Sequence, residues 1–123
     1  MTKNSDRRRK SLAIVGAGSS GLVTLKMIRQ KMPELEVFCF EKSSNTLGAW
    51  GKTYKGFVST STKYTTQFAC YKKFDSTVLS QNDRKFSEFF KDNEYGSYLS
   101  SFKEENQLEG YIHKNHSVEK IVR

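Results

Sequence analysis

The chain has 123 residues, enough for one domain with a modest core. It carries 21 basic against 13 acidic side chains, a formal net charge of +8, and only two cysteines. That composition excludes a disulfide-stapled secreted scaffold, and no apolar run reaches the length that spans a bilayer.

Residues 1–10 hold Lys3, Arg7, Arg8, Arg9 and Lys10 against a single acid, Asp6. Such an arm can bind nucleic acid, serve as a nuclear address or touch anionic lipid. No aromatic side chains interleave with these bases, so it reads as a disordered, solvated lead-in with no nucleic-acid partner. The first apolar run is a strand rather than a signal peptide. Together with the free thiols expected at Cys39 and Cys70, this points to a reducing, cytoplasmic setting.

From Ser11 to Glu41 the sequence has the order of a dinucleotide-binding βαβ unit. The apolar run Leu12 to Val15 leads into Gly16, Gly18 and Gly21. Gly16 serves a tight turn, Gly18 a close backbone approach to a pyrophosphate, and Gly21 close packing of the helix that follows. Leu22, Leu25, Ile28 and Met32 recur at helical spacing and are expected to face a sheet. Pro33 stops the helix. Val37 to Phe40 is apolar on both faces, the pattern of a buried parallel strand. Glu41 follows, 20 residues after Gly21, at the strand end where a carboxylate can accept ribose hydroxyls. A residue there is expected to matter little to fold stability.

Ser43 to Gly56 is rich in Gly, Ser, Asn and Thr and reads as a loop beside the crevice. Trp50, the only tryptophan, either packs on a bound ring system or plugs the loop onto the core. Phe57 to Phe74 suggests extended backbone, and Asp75 to Asp83 a loop. Phe86, Phe89 and Phe90 suggest a helix over Arg84 to Asn93, with Asp83 as its N-cap. A further helix is expected over Tyr95 to Glu105, its aromatic stripe facing the core. Tyr111 to His113 and Val118 to Val122 read as short strands. His113 and His116 then point to opposite faces, no acid or cysteine completes a ligand set, and no metal is expected. Asn115-His116-Ser117 fits the glycosylation sequon, which a cytosolic chain does not use.

These pieces together resemble the flavin-containing monooxygenases, over about Leu12 to Arg123. The resemblance rests on Gly16 to Leu22 (GAGSSGL), Phe40 to Ser43 (FEKS) and Leu47 to Trp50 (LGAW, in place of GGxW). It continues through Ser59 to Lys63 (STSTK, in place of TNTSK), then Phe68, and a helix from Tyr98 (YLSSFKEEN) leading to a hairpin over Ile112 to Val122. The first glycine of GGxW is Leu47 here, and the asparagine of TNTSK is Thr60. No second G-x-G-x-x-G and no linker histidine motif occurs in these residues.

The resemblance implies an α/β, Rossmann-like fold with a helical and short-hairpin extension. It is an incomplete domain: residues 11–123 form the N-terminal portion of an FAD-binding unit, behind the 1–10 arm. The residues expected to hold FAD are Gly16, Gly18, Ser20, Gly21, Glu41, Lys42 and Trp50. The implied function is that of an NADPH-dependent monooxygenase oxidising soft nitrogen or sulfur nucleophiles in small molecules. NADPH would be used only with a further domain, supplied by a longer chain or another copy, so this chain alone would be inactive. Two alternatives stay open: a non-catalytic or degenerate dinucleotide-binding fragment, and an NAD(P)-binding oxidoreductase domain, since the fingerprint alone does not separate FAD from NAD.

Overall fold

The computed structural model describes residues 10–75 and 88–123. Strand β1 (Ser11–Val15) runs into helix α1 (Ser19–Lys31), which returns the chain to β2 (Glu36–Phe40). β1 and β2 pair in parallel, Ser11 opposite Glu36 through Val15 opposite Phe40. Helix α1 ends one residue before Met32, whose amide donates to the Ile28 carbonyl at 2.8 Å. Leu35 N then donates to the Met32 carbonyl, closing the turn that carries Pro33. Leu22 and Leu25 are fully buried against Ile14, Val37 and Cys39. Met32 does not join that face; past the helix end it is 43% exposed.

A 3-10 turn (Gly48–Gly51) follows, then β3 (Val58–Thr62) and the short α2 (Lys63–Thr66). The stretch from Phe57 to Phe74 is therefore extended only at its start. Thr62 caps α2, its hydroxyl accepting from Thr65 N at 3.3 Å. β4 (Phe89–Lys91) pairs antiparallel with β3, Val58 opposite Lys91 and Thr62 opposite Phe89. This corrects the helix expected there. Phe89 and Phe90 alternate, Phe90 inward and Phe89 outward, because a nonlocal partner strand is present. Phe86, the proposed cap Asp83 and most of the loop after Asp75 lie outside the described residues, as do residues 1–9 of the basic arm.

Helix α3 (Glu94–Glu105) matches its expected range and buries Tyr95, Tyr98, Leu99 and Phe102. These rings meet Phe68, Tyr71, Phe74 and Phe90 in an aromatic cluster. The Tyr98 hydroxyl accepts from Phe68 N at 2.7 Å and donates to the Tyr71 carbonyl at 2.6 Å, so its burial leaves no polar atom unmet. A 3-10 turn (Glu109–Tyr111) leads to β5 (Ile112–His113), which joins β2 in parallel and completes the sheet order β1-β2-β5.

The expected C-terminal hairpin does not form. Val118 to Val122 has no strand, and Ile121 and Val122 are 83% and 71% exposed. A second correction concerns β2. Val37 and Cys39 are buried under α1, but Phe38 and Phe40 are only half-buried on the opposite face. Among the described residues α1 packs on one face only. Phe38 and Phe40 stack there with ring centroids 6.2 Å apart, alongside His113.

Candidate functional site

The site grows from the turn between β1 and α1. Gly16 has φ +95°, a left-handed conformation that disfavours any side chain. Its amide donates to the Phe40 carbonyl at 2.8 Å, extending the β1–β2 ladder into the turn. Gly21 meets that turn from the helix: a Cβ there would lie 1.9 Å from the Gly16 carbonyl oxygen. The first glycine is thus needed by the backbone conformation of the turn and the third by packing.

The second glycine is different. Gly18 has an ordinary extended φ of −81°, and a Cβ on it would meet only Gly48 Cα, at a normal 3.7 Å. Nothing among the described residues requires glycine there. Gly18 is also the N-cap of α1, with no side-chain cap and no acid in the first turn. The amides of Ser19, Ser20 and Gly21 therefore have no intrahelical acceptor, and the helix dipole favours an anion beside them. A recess of about 260 Å³ opens here, with Gly16, Gly18, Ser20 and Gly21 on one side and Leu47, Gly48 and Trp50 on the other.

The opposite wall is the Leu47–Gly51 segment. Leu47 N donates to the Ala17 carbonyl at 2.7 Å, tying the loop to the glycine turn. Both Leu47 (φ +78°) and Gly48 (φ +60°) are left-handed. A Cβ on Gly48 would stand 3.3 Å from Gly18 Cα, so two glycine backbones face each other across the wall. Trp50 is half-buried and lines the recess while its ring meets Tyr95 and Phe57 edge-on. It therefore plugs the loop onto the core, one of the two roles the sequence left open, while standing in the wall of the recess.

Glu41 lies at the end of β2 but is not a free surface carboxylate; only 7% of it is exposed. Oε1 accepts from Ala17 N at 2.8 Å, and Oε2 accepts from Ser43 N and Ser43 Oγ, both at 3.0 Å. Burial pushes its carboxyl upward, but the Ala17 and Ser43 donors and the Lys42 charge outweigh that and hold it below the usual carboxylate range. The backbone is pinned too: Glu41 N donates to the His113 carbonyl, and His116 N to the Glu41 carbonyl. Lys42 is exposed beside it. Gly16, Gly18, Ser20, Gly21 and Trp50 are thus brought together around one recess, and Glu41 reaches the same turn through Ala17.

Other sequence candidates fall elsewhere. Thr60 is exposed on β3, and Lys63 is 1% exposed, with Nζ 3.2 Å from Glu94 Oε2. Burial, then the Glu41 charge, push the Cys39 thiol up to about 11, making it an inert core group. His113 and His116 do come together, ring centroids 5.9 Å apart, because the chain turns at left-handed Asn115 (φ +61°) instead of continuing as a strand. No metal-ligating group of three occurs among the described residues. No helix among them is long and apolar enough to cross a membrane. The contribution missed by sequence reasoning is that of Tyr95 and Gly96, which back Trp50; a glycine inside the α3 pattern was the available signal.

Residues 9–123 match the family described as FMO-like, flavin-binding monooxygenase-like. The N-oxide-forming dimethylaniline monooxygenase 4 of Oryctolagus cuniculus is 30% identical over 110 residues, which cover 84% of this chain and 18% of that protein. Flavin-containing monooxygenase 1 of Mus musculus is 39% identical over 75 residues, covering 53% of this chain and 13% of that one. The chain thus spans less than a fifth of the length of these relatives. Among solved structures, S-allyl-L-cysteine S-oxygenase from Allium sativum superposes with a TM-score of 0.72 at 22% identity, covering 89% of this chain and 28% of that one. A steroid monooxygenase bound to NADP gives 0.63 at 24% identity, covering 86% and 20%. These likenesses show a shared α/β fold.

Proposed function

Because the chain belongs to the flavin-binding monooxygenase-like family, we propose that residues 11–123 form the FAD-holding N-terminal portion of an NADPH-dependent monooxygenase. Its substrates are small molecules with a soft nucleophilic nitrogen or sulfur. The observation that carries the cofactor reading is Gly18, a glycine that neither its φ nor any described neighbour requires, since a Cβ there would meet the Gly48 backbone only at ordinary contact. Gly18 is also the uncapped start of α1, whose first amides are the donors a pyrophosphate takes.

The residues fit a dinucleotide. Gly18 lets the pyrophosphate approach the backbone, and the amides of Ser19, Ser20 and Gly21 donate to its oxygens. Glu41 Oε1 accepts one bond from Ala17 and keeps a second acceptor position for a ribose hydroxyl. Lys42 adds positive charge at the same edge, and Trp50 shields the recess from water. Bound FAD supplies the redox chemistry, taking reducing equivalents from NADPH and activating dioxygen. The chain's own part is position and electrostatics.

Calorimetric titration of the purified chain with FAD, ADP and NAD tests this reading. FAD and ADP are expected to bind saturably at one site and to compete, with NAD weaker. Tighter NAD than FAD would assign the recess to a nicotinamide cofactor instead. No saturable binding of any of the three would make the domain a non-binding fragment. FAD-loaded chain mixed with NADPH is expected to show only slow reduction without saturation. No second glycine fingerprint occurs in these 123 residues, and a hydride donor needs its own phosphate turn.

A further inference from the structure

The Trp50 loop closes one side of the recess, yet its 3-10 turn buries no side chain completely. Its support comes from the start of α3, 40 residues further along the chain. Thr53 N donates to Asn93 Oδ1 at 3.0 Å, and Thr53 Oγ1 lies 2.8 Å from the same oxygen. Asp92 is left-handed, φ +49°, which lets one residue serve twice. Its carboxylate accepts from Gly56 N at 3.2 Å while its amide donates to the Phe57 carbonyl at 2.9 Å.

The next turn of α3 finishes the contact. The Tyr95 ring stands edge-on to Trp50, centroids 5.0 Å apart at 88°. A Cβ on Gly96 would lie 2.2 Å from the Trp50 carbonyl oxygen, so the helix backbone touches the loop directly. The start of α3 therefore holds the Trp50 loop by hydrogen bonds, by a ring contact and by backbone contact.

We propose that Asp92 to Gly96 form a clasp that sets the width of the dinucleotide recess, with Asn93 and Tyr95 as positioning residues acting through the Trp50 loop. The proposal rests on the FAD reading for its ligand, but its geometry stands in the ligand-free chain. The clasp keeps the Trp50 loop in place before the ligand arrives, so binding does not have to order the loop. Without it the loop must be ordered at the moment of binding, and affinity falls.

The test uses Asn93→Ala, Tyr95→Phe and Tyr95→Leu, with Leu108→Ala as a control at a buried position that lines no part of the recess. Trp50 is the only tryptophan, so acrylamide quenching of its fluorescence reports the loop alone. In the ligand-free chain Asn93→Ala and Tyr95→Leu are expected to raise the quenching constant about twofold or more, as the loop opens at the low-stability end of the structure. Tyr95→Phe keeps the ring contact and is expected to leave quenching unchanged. Asn93→Ala and Tyr95→Leu are expected to weaken ADP and FAD binding about fivefold, the scale of one lost hydrogen bond, and Tyr95→Phe to leave it unchanged. Leu108→Ala is expected to lower the thermal midpoint without moving quenching or affinity. Unchanged quenching and affinity in Asn93→Ala and Tyr95→Leu would overturn the clasp. So would Leu108→Ala moving both as far as they do. If the parent chain binds neither ADP nor FAD, the cofactor reading fails separately, and the quenching series alone upholds or overturns the clasp.

Discussion

The amide of Ala17 donates to Glu41 Oε1 at 2.8 Å, joining the glycine turn to the end of β2 inside the protein. The expected ribose acceptor is therefore also an internal tie, and its removal strands the buried Ala17 amide. Glu41→Ala is expected to cost about 2–3 kcal/mol of stability, measured by urea unfolding. This reverses the expectation that a strand-end residue matters little. A stability change within experimental error would return Glu41 to the role of a solvated ligand residue.

The same carboxylate predicts a pH dependence. Its folded pKa lies below the ordinary value, so its contribution is present above the unfolded pKa and lost as pH falls through the folded one. Glu109 is depressed in the same sense, through its bonds to Lys114 and Lys103. Stability should therefore decline on acidification below roughly pH 5, and Glu41→Gln should flatten part of that slope. An identical slope in Glu41→Gln would mean that the Ala17 and Ser43 donors do not favour the ionised form.

The three glycines of the turn are expected to separate by function. Gly21→Ala places a Cβ on the Gly16 carbonyl and should cost about 3 kcal/mol or more, or prevent folding. Gly18→Ala meets only a 3.7 Å contact and should change stability by less than about 1 kcal/mol, while still weakening FAD. Thermal melts of the two variants decide this. Equal losses would show that Gly18 is kept for packing.

Leu47 occupies a left-handed position where the resembled motif has glycine. It is also partly buried against the core. Leu47→Ala loses the packing and keeps the strain, whereas Leu47→Gly loses the packing and releases it. Leu47→Gly is therefore expected to be the more stable variant by about 1 kcal/mol, although glycine is the smaller residue. The opposite order in paired unfolding curves would show that Leu47 is not strained.

The βαβ core was legible because its signals are local. Strand, glycine turn and helix follow one another from Leu12 to Lys31, and Gly16 and Gly21 matched a need of the protein's own backbone. What sequence reasoning misread depends on partners far along the chain. Phe89 and Phe90 suit a helical stripe or a strand, and β3, nearly 30 residues earlier, decides for the strand. Val118 to Val122 has strand-forming residues but no partner among the described residues. Phe38 and Phe40 look like core, but α1 covers only the other face of the sheet. The internal bonds of Glu41 were hidden because a carboxylate after β2 reads the same whether it faces a ribose or Ala17. Tyr95 was recognised only as a core aromatic, since the Trp50 loop it supports comes from a separate segment.

A fluorescence titration of the ligand-free chain with FAD tests the placement of the cofactor most directly. Trp50 lines the recess and is the only tryptophan, so FAD bound there must quench its emission. Saturable quenching is expected in the parent chain. It should be lost in Gly18→Val, whose side chain would fill the pyrophosphate space while circular dichroism shows the fold intact. Equal saturable quenching in Gly18→Val, or none in the folded parent chain, would contradict the placement of FAD between the glycine turn and the Trp50 loop.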